Sequence, residues 1–271
     1  MTARTIREPI VSGRFYTSNR SELKKQVSGF VVPCKEKIDA FGVVAPHAGF
    51  SCSGVVAGAV FASIEPRPTY VILGPNHTGQ GRPFGLDPDR IWKTPLGEVK
   101  VDTNLAQKIL KRSNYIKKDY LCHDREHSIE VQLPFLQHLS NDFTVVPIVV
   151  SSGARKSYGV IAGELADVIK QEKKKILIIA TSDMSHYLPE EEAKKQDQLA
   201  IKKILALDID GFLSTIERYN ISMCGFAPTA IMLGACCKLG ATKTKLIRYN
   251  TSGDTCGDRA QVVGYAGITV Y

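Results

Sequence analysis

The sequence predicts one α/β domain spanning residues 1–271, with a largely parallel central sheet flanked by helices. Three observations predict it. Apolar runs alternate with segments of helical periodicity along the whole chain. The inner runs are continuous stretches of Val, Ile and Leu, as strands buried on both faces require. Several of those runs end in polar, ligand-type residues, and the carboxyl rim of a parallel sheet is where such folds bind ligands.

The strand candidates are 41–46, 70–74, 143–150, 175–181, 245–249 and 261–270, the last more broken in pattern and so expected toward an edge. Helices are expected at 18–30 with Ser21 as N-cap, and at 51–64, whose small residues suit close packing on a sheet. Further helices follow at 102–112, 126–139, 154–171, 190–207 and 224–240. Pro134 should kink or break the helix at 126–139, and Gly240 is a natural stop for the last. The stretch 79–97, "GQGRPFGLDPDRIWKTPLG", is long for a connection and reads equally as a functional loop or a surface β-hairpin. No internal repeat, low-complexity segment or linker divides the chain.

Composition narrows the function. The formal net charge of +8 comes from scattered lysines, read as a solvated surface. No zinc finger, no basic stripe with interleaved aromatics and no RNA-recognition signature is present, so no nucleic-acid partner is expected, whereas an anionic ligand stays open. Seven cysteines without a Cys-x-x-Cys pair do not make a disulfide framework. With no signal-peptide pattern at the amino terminus and no apolar run of about 20 residues, the expectation is a cytoplasmic protein away from membranes. No Gly-x-Gly-x-x-Gly follows the first strand and no Walker A sequence occurs, so no nucleotide cofactor is expected. A Gly-x-Ser-x-Gly elbow is also absent, which argues against a serine hydrolase.

The chemistry-bearing residues lie where strands end. "FGVVAPHAGF" delivers His47, "YVILGPNHTG" delivers His77, and "KILIIATSDMSH" delivers Asp183 and His186. Pro46 and Pro75 stop the ladder at the sheet rim. If the strands are neighbours, these side chains converge, and clustered histidine and carboxylate are the makings of a metal or catalytic site. Cys224 sits beside Gly225 at an expected helix start, where the helix dipole favours a thiolate. The segment "CHDREHSIEVQLPF" concentrates further polar residues. Asp124, His127 and Glu130 are its candidate binding groups, with His127 and Glu130 on one face if 127–130 is a helical turn.

The blocks "APHAG", "GPNH", "EHSIEVQLPFLQ", "TSDMSH" and "SMCG", in this order, resemble the Memo family along the full chain, from "REPIVSGRFY" to "VVGYAGITVY". The resemblance implies a fold similar to that of class III extradiol ring-cleavage dioxygenases, which hold Fe(II) with two histidines and a carboxylate. By the family pattern the metal ligands here are His47, His77 and Cys224, so a cysteine stands where those enzymes have glutamate. His186 matches their acid/base histidine and Asp183 a polar neighbour in the same pocket. The cofactor so implied is Fe(II), with copper or zinc as alternatives because a thiolate is softer than a carboxylate. The resemblance leaves three functions open: a non-haem iron oxidoreductase acting on a small organic molecule, a binding module for phosphorylated or acidic peptides or small anions, and a metal-handling redox protein.

Overall fold

The computed structural model describes residues 5–151, 153 and 155–271, the side chain of Cys256 excepted. The expected helix start at Ala154 lies outside those residues. Twelve strands are described: β1 (Ile6–Arg7), β2 (Gly42–Ala45), β3 (Thr69–Pro75), β4 (Phe84–Leu86), β5 (Ile91–Thr94), β6 (Gly97–Val101), β7 (Lys117–Lys118), β8 (Thr144–Val150), β9 (Ile176–Thr181), β10 (His186–Leu188), β11 (Thr244–Thr251) and β12 (Val262–Val270).

They form one mixed sheet in the order β1-β5-β6-β8-β3-β9-β2-β12-β10, with β11 on β12 and β4 joining β8 to β7. From β6 to β2, five neighbouring strands run parallel. Their inner members β2, β3 and β9 are buried at every position, which explains their unbroken apolar sequence. Strands β3, β9 and β2 are adjacent, so the residues after Pro75, Thr181 and Ala45 emerge side by side. That adjacency builds the site.

One expectation about the sheet changes, and one open reading is decided. The last strand, β12, is internal: it runs antiparallel between β2 and β11. Its broken pattern reflects close packing, since a Cβ at Gly267 would overlap the Val60 side chain of helix Phe50–Ala62. The stretch 79–97 contributes β4 and β5, and β5 turns back onto β6 as an antiparallel hairpin. Trp92 of β5 is buried, and its indole N–H donates to Asp87 at 3.0 Å.

Helices cover the sheet. Helix Arg20–Phe30 is capped by Asn19, whose side chain accepts from the backbone N–H of Ser21 and Glu22, so the cap falls two residues before the expected Ser21. Pro134 breaks nothing: it lies in the first turn of helix Leu133–Leu139, where its missing N–H costs no hydrogen bond. The 126–139 region is accordingly a 3-10 turn, Glu130–Gln132, leading into that short helix. Helix Phe226–Leu239 ends at Gly240 with φ 107°, as its sequence required. The helix Ile209–Tyr219, not anticipated from the sequence, starts at Asp208, which caps Gly211, and stops at Asn220 in the left-handed region, φ 48°. No described helix is long and apolar enough to cross a membrane.

Candidate metal centre

His47 follows β2 and is buried. Its backbone N–H donates to Asp183 Oδ1 at 2.8 Å, and its Nδ1 lies 2.7 Å from Thr181 Oγ1 at the end of β9. Gln132 also donates to that hydroxyl at 3.0 Å and to the Pro46 carbonyl at 2.9 Å. Ligation through Nε2 requires the proton on Nδ1, and Thr181 Oγ1 is placed to accept it. His47 Nε2 faces Cys224 Sγ at 3.2 Å.

His77 follows β3 and is held by one carboxylate at two points. Its backbone N–H donates to Glu126 Oε2 at 2.7 Å, and its Nδ1 meets Glu126 Oε1 at 2.9 Å. The Nε2 atom is thereby left as the nitrogen available for a ligand. Cys224 immediately precedes the N-cap of helix Phe226–Leu239, and its sulfur accepts the Asp183 backbone N–H at 3.3 Å. One ligand atom from each of His47, His77 and Cys224 falls within 4.8 Å of the others.

His127 borders this group. Its ring stacks on His77 with centroids 4.7 Å apart and meets His47 edge-on at 5.5 Å. A second set, His77, Glu126 and His127, also meets the 4.8 Å criterion. His186 stands on β10, its Nδ1 2.8 Å from the Ser222 carbonyl. With Nδ1 engaged by that carbonyl, Nε2 is the ring nitrogen left open.

The electrostatics follow from burial. Burial depresses His47 well below the ordinary histidine range, and the neighbouring His77, His127 and His186 act the same way. His47 is therefore neutral, as a ligand must be. Burial also opposes protonation of His77, but the hydrogen bond and charge of Glu126 outweigh it and raise that histidine. Glu126 itself is held down to about 2, the His77 contacts overcoming its burial. Burial lowers His127 and raises Asp183. The Cys224 thiol is pushed up, first by burial and then by the Asp183 carboxylate. The expected helix-start thiolate is thus opposed by its surroundings until a cation arrives, and metal coordination deprotonates a thiol outright. The donor set, two imidazoles and a thiol beside carboxylates, fits a borderline transition metal such as Fe(II), Zn(II) or copper.

The structure brings together His47, His77, Cys224, Asp183 and His127, with His186 near enough for its charge to act on both His47 and Asp183. It does not bring Glu130 or Asp124 to the same place. His127 and Glu130 do not share a face: Glu130 is fully buried against Arg7, Tyr16 and the backbone of Ile10 and Val11. Asp124 is half-exposed and pairs with Arg90 at 2.6 Å. Glu126, Thr181 and Gln132 complete the site without having been singled out. Glu126 adjoins His127 in the sequence, but only the fold shows that it belongs to His77, 49 residues away.

Fold and site together describe an α/β protein in which His47, His77 and Cys224 gather at the carboxyl rim of a parallel sheet, close enough to be able to hold a metal ion. The chain belongs to the Memo family, whose Memo-like protein pattern matches residues 7–269. It is 41% identical over 271 residues to a MEMO1 family protein of Methanosarcina acetivorans, covering 98% of this chain and 99% of that one. A MEMO1 family protein of Aquifex aeolicus is 42% identical over 270 residues, covering 97% and 98%. Among solved structures, an uncharacterized protein of Escherichia coli K12 superimposes with a TM-score of 0.51 at 11% identity, over 84% of this chain and 98% of that one. That likeness concerns the fold alone.

Proposed function

We propose that this chain is a metal-dependent oxidoreductase holding a non-haem Fe(II) through His47, His77 and Cys224. The observation that carries the reading is the convergence of those three ligand atoms within 4.8 Å. The Nδ1 atom of each histidine is at the same time engaged by Thr181 or Glu126. Metal-bound histidines almost always hand their second nitrogen to such a partner.

When bound, the iron supplies electron transfer and open positions for O₂ and a small organic or anionic substrate. The chain supplies the proton chemistry. His186 Nε2 accepts a proton from the substrate, because the Ser222 carbonyl holds the other tautomer in place. Asp183 fixes the turn that carries His47 by accepting the backbone N–H of His47 and Ala48. His127, stacked on His77, closes one side and limits access of water.

Anaerobic reconstitution with Fe(II) and elemental analysis test the reading, with His47→Ala, His77→Ala and Cys224→Ser beside the wild type. Stoichiometric iron lost in each variant, followed by substrate-dependent O₂ uptake in a screen of small organic compounds, supports it. Bound metal with no uptake in the screen favours a metal-handling protein. No metal in the wild type sinks the proposal and turns the search to peptide and anion ligands.

A further inference from the structure

We propose that Arg7 and Glu130 form a clasp that positions the metal-binding groups, holding the 123–130 segment so that Glu126 meets His77 and His127 stacks on it. The inference rests on the metal-site reading above and deepens it.

Arg7, on the two-residue strand β1, is buried with its guanidinium over the Trp92 ring at 4.4 Å. Its Nε and Nη2 donate to the His123 carbonyl at 3.3 and 3.2 Å. The same Nη2 donates to the Glu126 carbonyl at 2.6 Å, and Nη1 pairs with the Glu130 carboxylate. One side chain thus fixes the segment at its start, middle and end. Glu130 returns the grip. It accepts the backbone N–H of Ile10 at 2.9 Å and of Val11 at 3.1 Å, and the Tyr16 hydroxyl at 2.7 Å. The residue before it, Phe15, lays its ring edge-on to His127 at 4.9 Å.

A buried ion pair is a costly way to fill this space. Desolvating both charges consumes much of their attraction, and well-packed apolar side chains of the same volume hold a fold as well or better. What the pair adds is direction. The guanidinium presents five donors in a rigid fork, and here Nε and Nη2 are spent on the carbonyls of His123 and of Glu126, the residue that orients His77. An apolar filling specifies no carbonyl position, so Glu126 would be free to drift from His77.

The test compares wild type, Glu130→Gln and the double variant Arg7→Met/Glu130→Gln, which leaves no uncompensated buried charge. Co(II) serves as probe, since its thiolate charge-transfer band and its d–d bands report the ligand set and geometry. The double variant is expected to keep its far-UV circular dichroism, lose about tenfold to a hundredfold in Co(II) affinity, and show an altered Co(II) spectrum. A purely structural role would lower the melting temperature and leave affinity and spectrum unchanged, which would overturn the proposal. A second readout needs no metal. In metal-free protein labelled with ¹⁵N-histidine, the hydrogen-bonded His77 Nδ1–H should exchange faster in the double variant, and an unchanged exchange rate would overturn the clasp. Wild type that binds no Co(II) refutes the metal reading, while the exchange measurement still decides the clasp. If the double variant does not fold, Glu130→Gln is read by the same two measures and must shift both in the same direction.

Discussion

The carboxylate of Glu126 holds His77 at two points, its Oε2 taking the backbone N–H at 2.7 Å and its Oε1 meeting the ring Nδ1 at 2.9 Å. One buried anion therefore fixes both the path of the chain after β3 and the tautomer of the imidazole. The Ser128 N–H, at 2.9 Å from Oε1, anchors the carboxylate in turn. A group so placed sets which nitrogen of His77 is free to meet a ligand.

Glu126→Gln should weaken metal binding by about tenfold to a hundredfold, the usual cost of losing such a partner. The amide keeps the shape but can offer only one acceptor oxygen, so one of the two His77 contacts is lost. Competition titration against a chelator of known affinity measures it. An unchanged affinity would mean that His77 is not a ligand.

Metal-free Cys224 should behave as a thiol at neutral pH. Burial and the Asp183 carboxylate both raise it, which disfavours the charged form. Ultraviolet absorption should show no thiolate until Zn(II) is added, after which a thiolate band appears with release of a proton. Cys224→Ser should abolish that band. A thiolate already present in the metal-free protein would show that the helix start outweighs burial.

The scaffold of this site was legible because its signals are local. Continuous apolar runs marked β2, β3 and β9, and Pro46 after β2 and Pro75 at the end of β3 marked the rim. Position in the sequence could bring His47, His77 and Asp183 to strand ends, but only the strand order makes those ends neighbours. Glu126 and Glu130 show where such reading stops. Both are glutamates in one polar segment, yet one faces His77 and the other a buried arginine 123 residues away. Nothing local separates them, because the 3-10 turn at Glu130–Gln132 disrupts the helical spacing that would have set their faces. Helix Ile209–Tyr219 was missed for a different reason: its caps, Asp208 and Asn220, are common turn residues as well.

Acid should destabilise the protein between pH 6.5 and about 4 through His123. This histidine is buried, its Nε2 lies 3.1 Å from the Gly85 carbonyl, and burial holds it down to about 4. The folded state therefore binds fewer protons than the unfolded one across that window. The stability is fully present above the unfolded value near 6.5 and is lost as pH falls toward the folded one. The loss is of the order of 3 kcal/mol, each pKa unit being worth about 1.4 kcal/mol. Buried His47 is also depressed and acts in the same direction, so the measurement is a difference. His123→Gln should be less stable at pH 7 but show a shallower decline from pH 6.5 to 4 in urea unfolding. Parallel curves for the two proteins would mean that His123 takes up no proton on unfolding.

Gly225→Ala should damage the site through the backbone. A Cβ at this position would overlap the Thr181 carbonyl and approach the Ser182 side chain at 2.5 Å. The Gly225 N–H also donates to Ser182 Oγ at 2.9 Å, tying the start of helix Phe226–Leu239 to the end of β9. Those neighbours are backbone and a buried short side chain, so they cannot swing aside. The helix start must instead retreat, carrying Cys224 away from His47. Overpacking of this kind costs about 1–3 kcal/mol, seen as a lower melting temperature. Cys224 would lose its register with the two histidines, so the Co(II) thiolate charge-transfer band should weaken more than the d–d bands. A variant with wild-type melting and an intact thiolate band would show that the close approach of Gly225 to Thr181 is not what sets the position of the sulfur.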